Sequence, residues 1–157
     1  MIFQGVNKSW LFISLIVVLT TLIYFPLADY QFSNFDTPFY ITNNPHVNSG
    51  LSLSNASWAF TTNYMANWHP ITWLSHMLDA ELFGLNPGPH HIHNLLLHIV
   101  NTLLLFLMLL RVNKGTLAPG LVALLFAIHP TQIESVIWVA ERKDMLFTLF
   151  LFAAVLS

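Results

Sequence analysis

The chemistry available to this chain starts from seven acidic side chains, five basic ones and eight histidines, with no cysteine. Asp36 stands in the string Asn34-Phe35-Asp36-Thr37-Pro38. A carboxylate there can take a proton from an attacking hydroxyl; an Asp between polar and turn-forming residues is also an ordinary turn residue. Farther along, the stretch His129 to Asp144 carries Glu134, Trp138, Glu141, Arg142 and Lys143. If this stretch is helical after Pro130, Glu134, Trp138 and Glu141 fall on one face. Two carboxylates flanking an indole suit a sugar, because carboxylates bind hydroxyls and an aromatic face stacks on the ring. The same residues also read as an interfacial anchor at Trp138 and a local Glu141–Arg142 pair. Arg142 and Lys143 can hold an anion, or can be neutralised by Glu141 and Asp144.

A second pattern is a stripe. His91, Asn94, His98 and Asn101 are spaced by three and four, which places them on one side of a helix. Turned toward lipid the stripe would be unfavourable, so it faces a bundle interior or a wet cavity lined by His91, Asn94 and His98. Hydrogen bonding between helices is the plainer use of the same groups. The remaining histidines raise the question of metal. His90, His91 and His93 cluster, and His69 and His76 lie one heptad apart. Imidazoles with carboxylates suit a divalent transition metal. No H-E-x-x-H or closed-site spacing appears, so no residue is assigned as a metal ligand. There is no phosphate-cradling glycine loop and no G-x-S-x-G. Without cysteine there is no thiol nucleophile, and a net charge of −2 gives no reason to expect nucleic acid.

The elements that must position these residues are set by hydrophobicity. The 157 residues are 55% hydrophobic and 8% charged, with a mean hydropathy of +0.64. Soluble domains carry about 25% charged residues, so this surface needs a bilayer around it. The apolar runs predict an all-α integral membrane protein of about four spans. They lie at 10–28, 90–110, 115–128 and 144–157, the last cut short by the end of the chain. A loop covers 29–89 and a polar segment 129–143. Within the loop, Ser52 to Thr62 reads as a short helix, and Asn67-Trp68-His69-Pro70 starts a second one that Gly84 stops. Asp29 to Gly50 reads as loop, and Asn86-Pro87-Gly88-Pro89 as a further break. No Lys or Arg occurs between Ser9 and Leu110. Basic residues favour the cytoplasmic side, so the amino terminus is expected inside and 29–93 outside.

Three strings carry a resemblance: "FDTPFYITNNPHVNSGLS", "NWHPITWLSHMLDAELFGLNPGPHHIHNLLLHIVNTLLLFLMLL" and "LFAIHPTQIESVIWVAERKDM". Over about Phe35 to Asp144 the chain resembles the amino-terminal membrane domain of TMTC-like proteins, the transmembrane and tetratricopeptide-repeat family. The resemblance implies a GT-C glycosyltransferase fold with its site on the outer face of the membrane. It implies a hexosyltransferase similar to O-mannosyltransferases, which moves a sugar from a polyprenyl-phosphate donor to a hydroxyl, most naturally on a protein. It also implies Asp36 as catalytic base, Arg142 and Lys143 on the donor phosphate, and Glu134, Trp138 and Glu141 on the sugar or orienting those cations. The family's loop motif usually reads Phe-Asp-Asp; here Thr37 stands in the second acidic position, which bears on any divalent-metal requirement. No tetratricopeptide repeats follow. The expectation is a module, truncated or one half of a split enzyme, in a bacterial inner membrane with a periplasmic site. The rival readings are a non-catalytic membrane interaction subunit and a transporter fragment.

Overall fold

The computed structural model describes residues 3–157, with side chains from Lys8 onward, and every regular element among them is helical. The first, α1 (Phe3–Tyr24), is apolar along most of its length. Pro26, which has no N–H to give a ladder, sits near the start of a tighter turn over Phe25–Asp29 that follows α1. The residues expected to be loop after it contain two helical pieces. Pro38–Thr42 forms one wide turn, and α2 (Pro45–Asn48) is capped by Asn44, whose side chain accepts from the His46 amide. Both start on a proline, whose fixed φ suits a first turn.

Next come α3 (Leu53–Thr61), capped by Ser52, and α4 (Pro70–Phe83), ended by Gly84 at φ +62°. A left-handed backbone is accessible to glycine without a Cβ penalty, so the stop signal in the sequence and the end of α4 coincide. The run Asn86-Pro87-Gly88-Pro89, expected as a break, is instead the start of the longest helix, α5 (Pro87–Val112). Asn86 accepts from the Gly88 amide, and both prolines sit in the first turn, where amides have no helical partner. The Cα of Gly88 lies against the Ala28 carbonyl so closely that a Cβ would strike it. Because that obstacle is backbone, Gly88→Ala should push α5 away from the end of α1. It is expected to lower stability by about 1–3 kcal/mol, read as a fall in Tm in detergent.

The remaining elements are α6 (Leu117–Ile128), α7 (Ile133–Ile137) and α8 (Arg142–Leu156). α5 and α8 begin at the same end of the bundle, which is also where α1 and α6 finish: Arg142 bonds the His90 carbonyl, and Asn101 the Met145 carbonyl one turn down α8. Three layers of core stack along this axis. Ile16, Phe106 and Ala123 fill the far end. Tyr24, Leu27, Leu95, Ile99, Val136 and Met145 fill the middle. Tyr40, Ile41, Val47, Ala59, Trp73 and Met77, with Val139 and Ala140, form the core of the polar end.

Among the described residues, two stretches are long and apolar enough to cross a membrane, Lys8–Asp29 and Pro87–Val112. A third arises only if α6 and Pro130–Ile137, bent by 49° at their junction, count as one. The sequence led us to expect four. The difference lies in length: at 1.5 Å per residue, the 12 residues of α6 and the 15 of α8 fall below the roughly 17–25 that a bilayer core needs.

Candidate functional site

The polar stretch after α6 is not one helix. It breaks into a tight turn over Pro130–Gln132, the single turn of α7, an extended Trp138 at ψ 104°, and another tight turn over Val139–Glu141. Glu134, Trp138 and Glu141 therefore do not share a helical face. Glu134 and Trp138 meet instead around a cavity of about 290 Å³, which Gln31, Ser33 and His91 also line. Phe35, the neighbour of Asp36, packs edge-on to the Trp138 ring at 5.7 Å between centroids. Glu141 is not among the cavity's lining residues and holds Lys143, Nζ to Oε1 at 2.7 Å.

Asp36 is half-buried at the start of the wide turn, where its carbonyl accepts from the Tyr40 amide. That turn directs Tyr40 inward onto Trp73, and the Lys143 ammonium stands 6.0 Å from the Tyr40 ring centre. Burial first, then the nearby charges of Asp36 and Glu141, raise the Tyr40 hydroxyl above its usual pKa. His69 stacks on the Tyr40 ring at 5.5 Å between centroids and lies tilted against Trp73 at 4.8 Å. Burial and then Lys143 lower its pKa, partly opposed by Glu141, which favours a neutral imidazole at pH 7. Asp36, Glu141, Lys143 and Trp138 thus gather at one end of the bundle, and Tyr40 and His69 complete the group. Sequence reasoning missed those last two. Tyr40 carried no spacing signal, and His69 was visible only as the residue before a helix-starting proline and by its heptad spacing to His76, neither of which points to Tyr40 or Lys143.

Arg142 goes elsewhere. Its side chain is fully buried and its donors are engaged within the chain: Nη1 lies 2.6 Å from Asp79 Oδ2, Nε donates to Asn94 Oδ1 at 2.8 Å, and Nη2 donates to the His90 carbonyl at 3.0 Å. Nη1 also donates to the Ser75 carbonyl. So placed, fully buried and with four of its five N–H donors engaged within the chain, Arg142 does not face a phosphate site and is not the partner of Glu141. It is the pin that joins α4, α5 and α8. Asp79, on α4, is 1% exposed and also accepts from His93 at 2.6 Å. Burial alone would raise the Asp79 pKa; the His93 hydrogen bond and the Arg142 charge override it and hold the carboxyl below its usual value.

The stripe on α5 is buried throughout, but its members do different things. His91 lines the 290 Å³ cavity, with Nε2 at 3.4 Å from the Gln31 carbonyl. Asn94 serves Arg142. His98 donates from Nε2 to the Ala127 carbonyl at 2.9 Å, and Asn101 donates to the Met145 carbonyl at 2.9 Å.

His76, Asp79 and His90 lie close enough to hold an ion between them, their ligand atoms within 4.8 Å of one another. The residues do not fit a divalent metal. The Arg142 guanidinium already sits on Asp79 Oδ2, and a dication a few ångströms from it would meet a repulsion of several kcal/mol, even at an effective dielectric of about 20. His76 is fully buried with neither ring nitrogen hydrogen-bonded. Burial and then Arg142 lower its pKa well below the ordinary value. The sign follows from linkage: below about pH 6.5 the unfolded chain binds a proton at His76 and the folded chain does not, so acid favours unfolding. His76→Leu removes two unpartnered nitrogens from the interior. It is expected to keep or raise Tm at pH 7 and to flatten the fall in Tm between pH 7 and 5.

Against known proteins, the chain is 34% identical over 132 residues to "Protein O-mannosyl-transferase TMTC1" of Mus musculus. The match covers 78% of this chain and 14% of that protein. It is 38% identical over 82 residues to Tmtc1 of Drosophila melanogaster, and 32% identical over 91 residues to TMTC3 of Homo sapiens, both named protein O-mannosyl-transferases. These matches cover 50% and 58% of this chain, and 9% and 10% of the relatives. The chain therefore spans about a seventh, or less, of these relatives' length. No family model matches it, and no solved structure does.

Proposed function

Because this chain is TMTC-like, an integral membrane protein related to protein O-mannosyl-transferases, we propose that it is a glycosyltransferase module. It moves a sugar from a polyprenyl-phosphate donor to a hydroxyl, on a protein acceptor, at the outer face of the membrane. The observation that carries this reading is the gathering of Asp36, Lys143, Glu141 and Trp138 at one end of the bundle, beside a cavity.

The reaction assigns each group a task. Asp36 takes the proton of the acceptor hydroxyl as its oxygen bonds to the anomeric carbon. The bond from that carbon to the phosphate oxygen breaks, and its electron pair leaves with the polyprenyl phosphate. Lys143, a point charge held between Glu141 and the Tyr40 ring, meets that anion. The sugar occupies the 290 Å³ cavity against Trp138, with Glu134 on its hydroxyls. Arg142 touches none of these. It is a positioning residue that fixes the start of α8 and so the residues on either side of it.

The absence of basic residues between Ser9 and Leu110 supports an extracytoplasmic site, as in a bacterial inner membrane with the amino terminus inside. The experiment is transfer of labelled sugar in proteoliposomes from a panel of polyprenyl-phosphate sugars, with mannose among them, to a hydroxyl-rich peptide. Label in the peptide is expected from at least one donor. No transfer from any donor overturns the proposal.

A further inference from the structure

A second cavity, of about 40 Å³, lies deeper in the bundle where α5, α6 and the polar stretch meet α8. His98, Asn101, Gln132, Ser135, Asp144 and Thr148 supply its polar walls. Of these, His98 and Asn101 are buried, Gln132, Ser135 and Thr148 are half-buried, and Asp144 is exposed; the buried group left without a partner is the Asn101 side-chain oxygen, which is unfavourable unless something in the cavity answers it.

The hydrogen-bond pattern says which kind. Asn101 gives its amide hydrogen to the Met145 carbonyl, and its oxygen, buried, has no donor. Thr148 gives its hydroxyl hydrogen to the Asp144 carbonyl, which leaves its lone pairs. His98 directs Nε2 at the Ala127 carbonyl, so the neutral ring carries its hydrogen there and has none on Nδ1. One Asn101 amide hydrogen, the Thr148 hydroxyl hydrogen and the His98 ring hydrogen are thus engaged by backbone, and each of these walls keeps an acceptor; Gln132 and Ser135 add oxygens that can ligate and hydrogens that can donate. Asp144 adds a carboxylate at the exposed edge of the cavity. Charge points the same way. Glu134, Glu141 and Asp144 lie near one another, with Lys143 among them and Arg142 engaged by Asp79.

We propose that this cavity binds a monovalent cation of sodium size, held by the Asn101 oxygen, the Thr148 hydroxyl and the Asp144 carboxylate. Hard oxygen ligands suit such an ion, the volume admits little more than one ion or one water, and a single lining carboxylate matches a single charge. The ion counters the excess of carboxylates behind Glu141 and ties α5 to α8 just below the Arg142 pin. The site does not depend on sugar transfer and is tested without it.

The test is thermal unfolding of the purified chain in detergent, in sodium, potassium and N-methylglucamine chlorides at matched ionic strength. A ligand that binds the folded form alone raises Tm with its concentration. Sodium is expected to raise Tm saturably by several degrees above N-methylglucamine, with potassium weaker. Asn101→Leu and Asp144→Asn should lose the rise, while Asp36→Asn keeps it. Equal Tm in all three salts would mean that the cavity holds only water, and would overturn the proposal, as would a rise that survives in both variants. If a variant does not fold, the ²³Na resonance of the wild-type protein decides. Line broadening that Thr148→Val reduces supports the site, and no broadening sinks it.

Discussion

Arg142→Met is expected to lower the stability of this protein by about 3–5 kcal/mol, the usual effect of removing one partner from a buried ion pair. The guanidinium is the largest charged group in the interior, at 0% exposure, and its loss leaves Asp79, 1% exposed, with a charge answered only by histidines. Asn94 Oδ1 and the carbonyls of Ser75 and His90 lose donors at the same time. For a chain of this size the change corresponds to a fall in Tm on the order of 10 °C, measurable by following helix content in detergent. Asp79→Leu should fall by a similar amount. The double variant Asp79→Leu/Arg142→Leu should recover much of the loss, because no charge is then stranded. Single variants that melt like the wild type would show that Arg142 does not pin α8 to α4 and α5.

Asp36→Asn has the largest expected effect on the proposed chemistry. A general base contributes about 10²- to 10⁴-fold, and an amide of the same shape cannot accept the proton. Transfer of labelled sugar should fall by at least about 100-fold, with little change in KM for the donor. Asp36 is half-buried and no side-chain partner depends on it, so Tm should move by less than about 1 kcal/mol equivalent. The split between lost turnover and kept stability separates a base from a turn residue. Turnover unchanged in Asp36→Asn, in a preparation that transfers sugar, would remove Asp36 from the reaction and leave the glycosyltransferase reading to stand on other residues.

Several elements were legible from residues alone because their signals are local. Pro70 and Gly84 bracket α4, Ser52 caps α3, and the spacing of His91, Asn94, His98 and Asn101 marked the buried side of α5. The break at Trp138 was not legible. The stretch around it has ordinary helix formers, and nothing within four residues shows that Val139 and Ala140 are drawn into the core beside Trp73. Nor was the start of α5, since Asn-Pro-Gly-Pro reads as a turn unless a neighbouring backbone, here Ala28, lies close against Gly88.

Composition and charge placement by themselves determined a helical membrane protein whose acids and histidines concentrate on one side of the spans, because both depend only on how each residue type partitions between water and lipid. Which acid meets which base was decided by tertiary structure alone. Arg142 has Glu141 and Asp144 within two residues, yet it pairs with Asp79, sixty-three positions away, while Lys143 takes Glu141. The physical reason is burial. Once α8 packs on α5, the side chain at position 142 points inward, and a guanidinium out of water must have a fixed carboxylate and carbonyls around it; the lysine beside it points outward, where a flexible neighbour and solvent are enough.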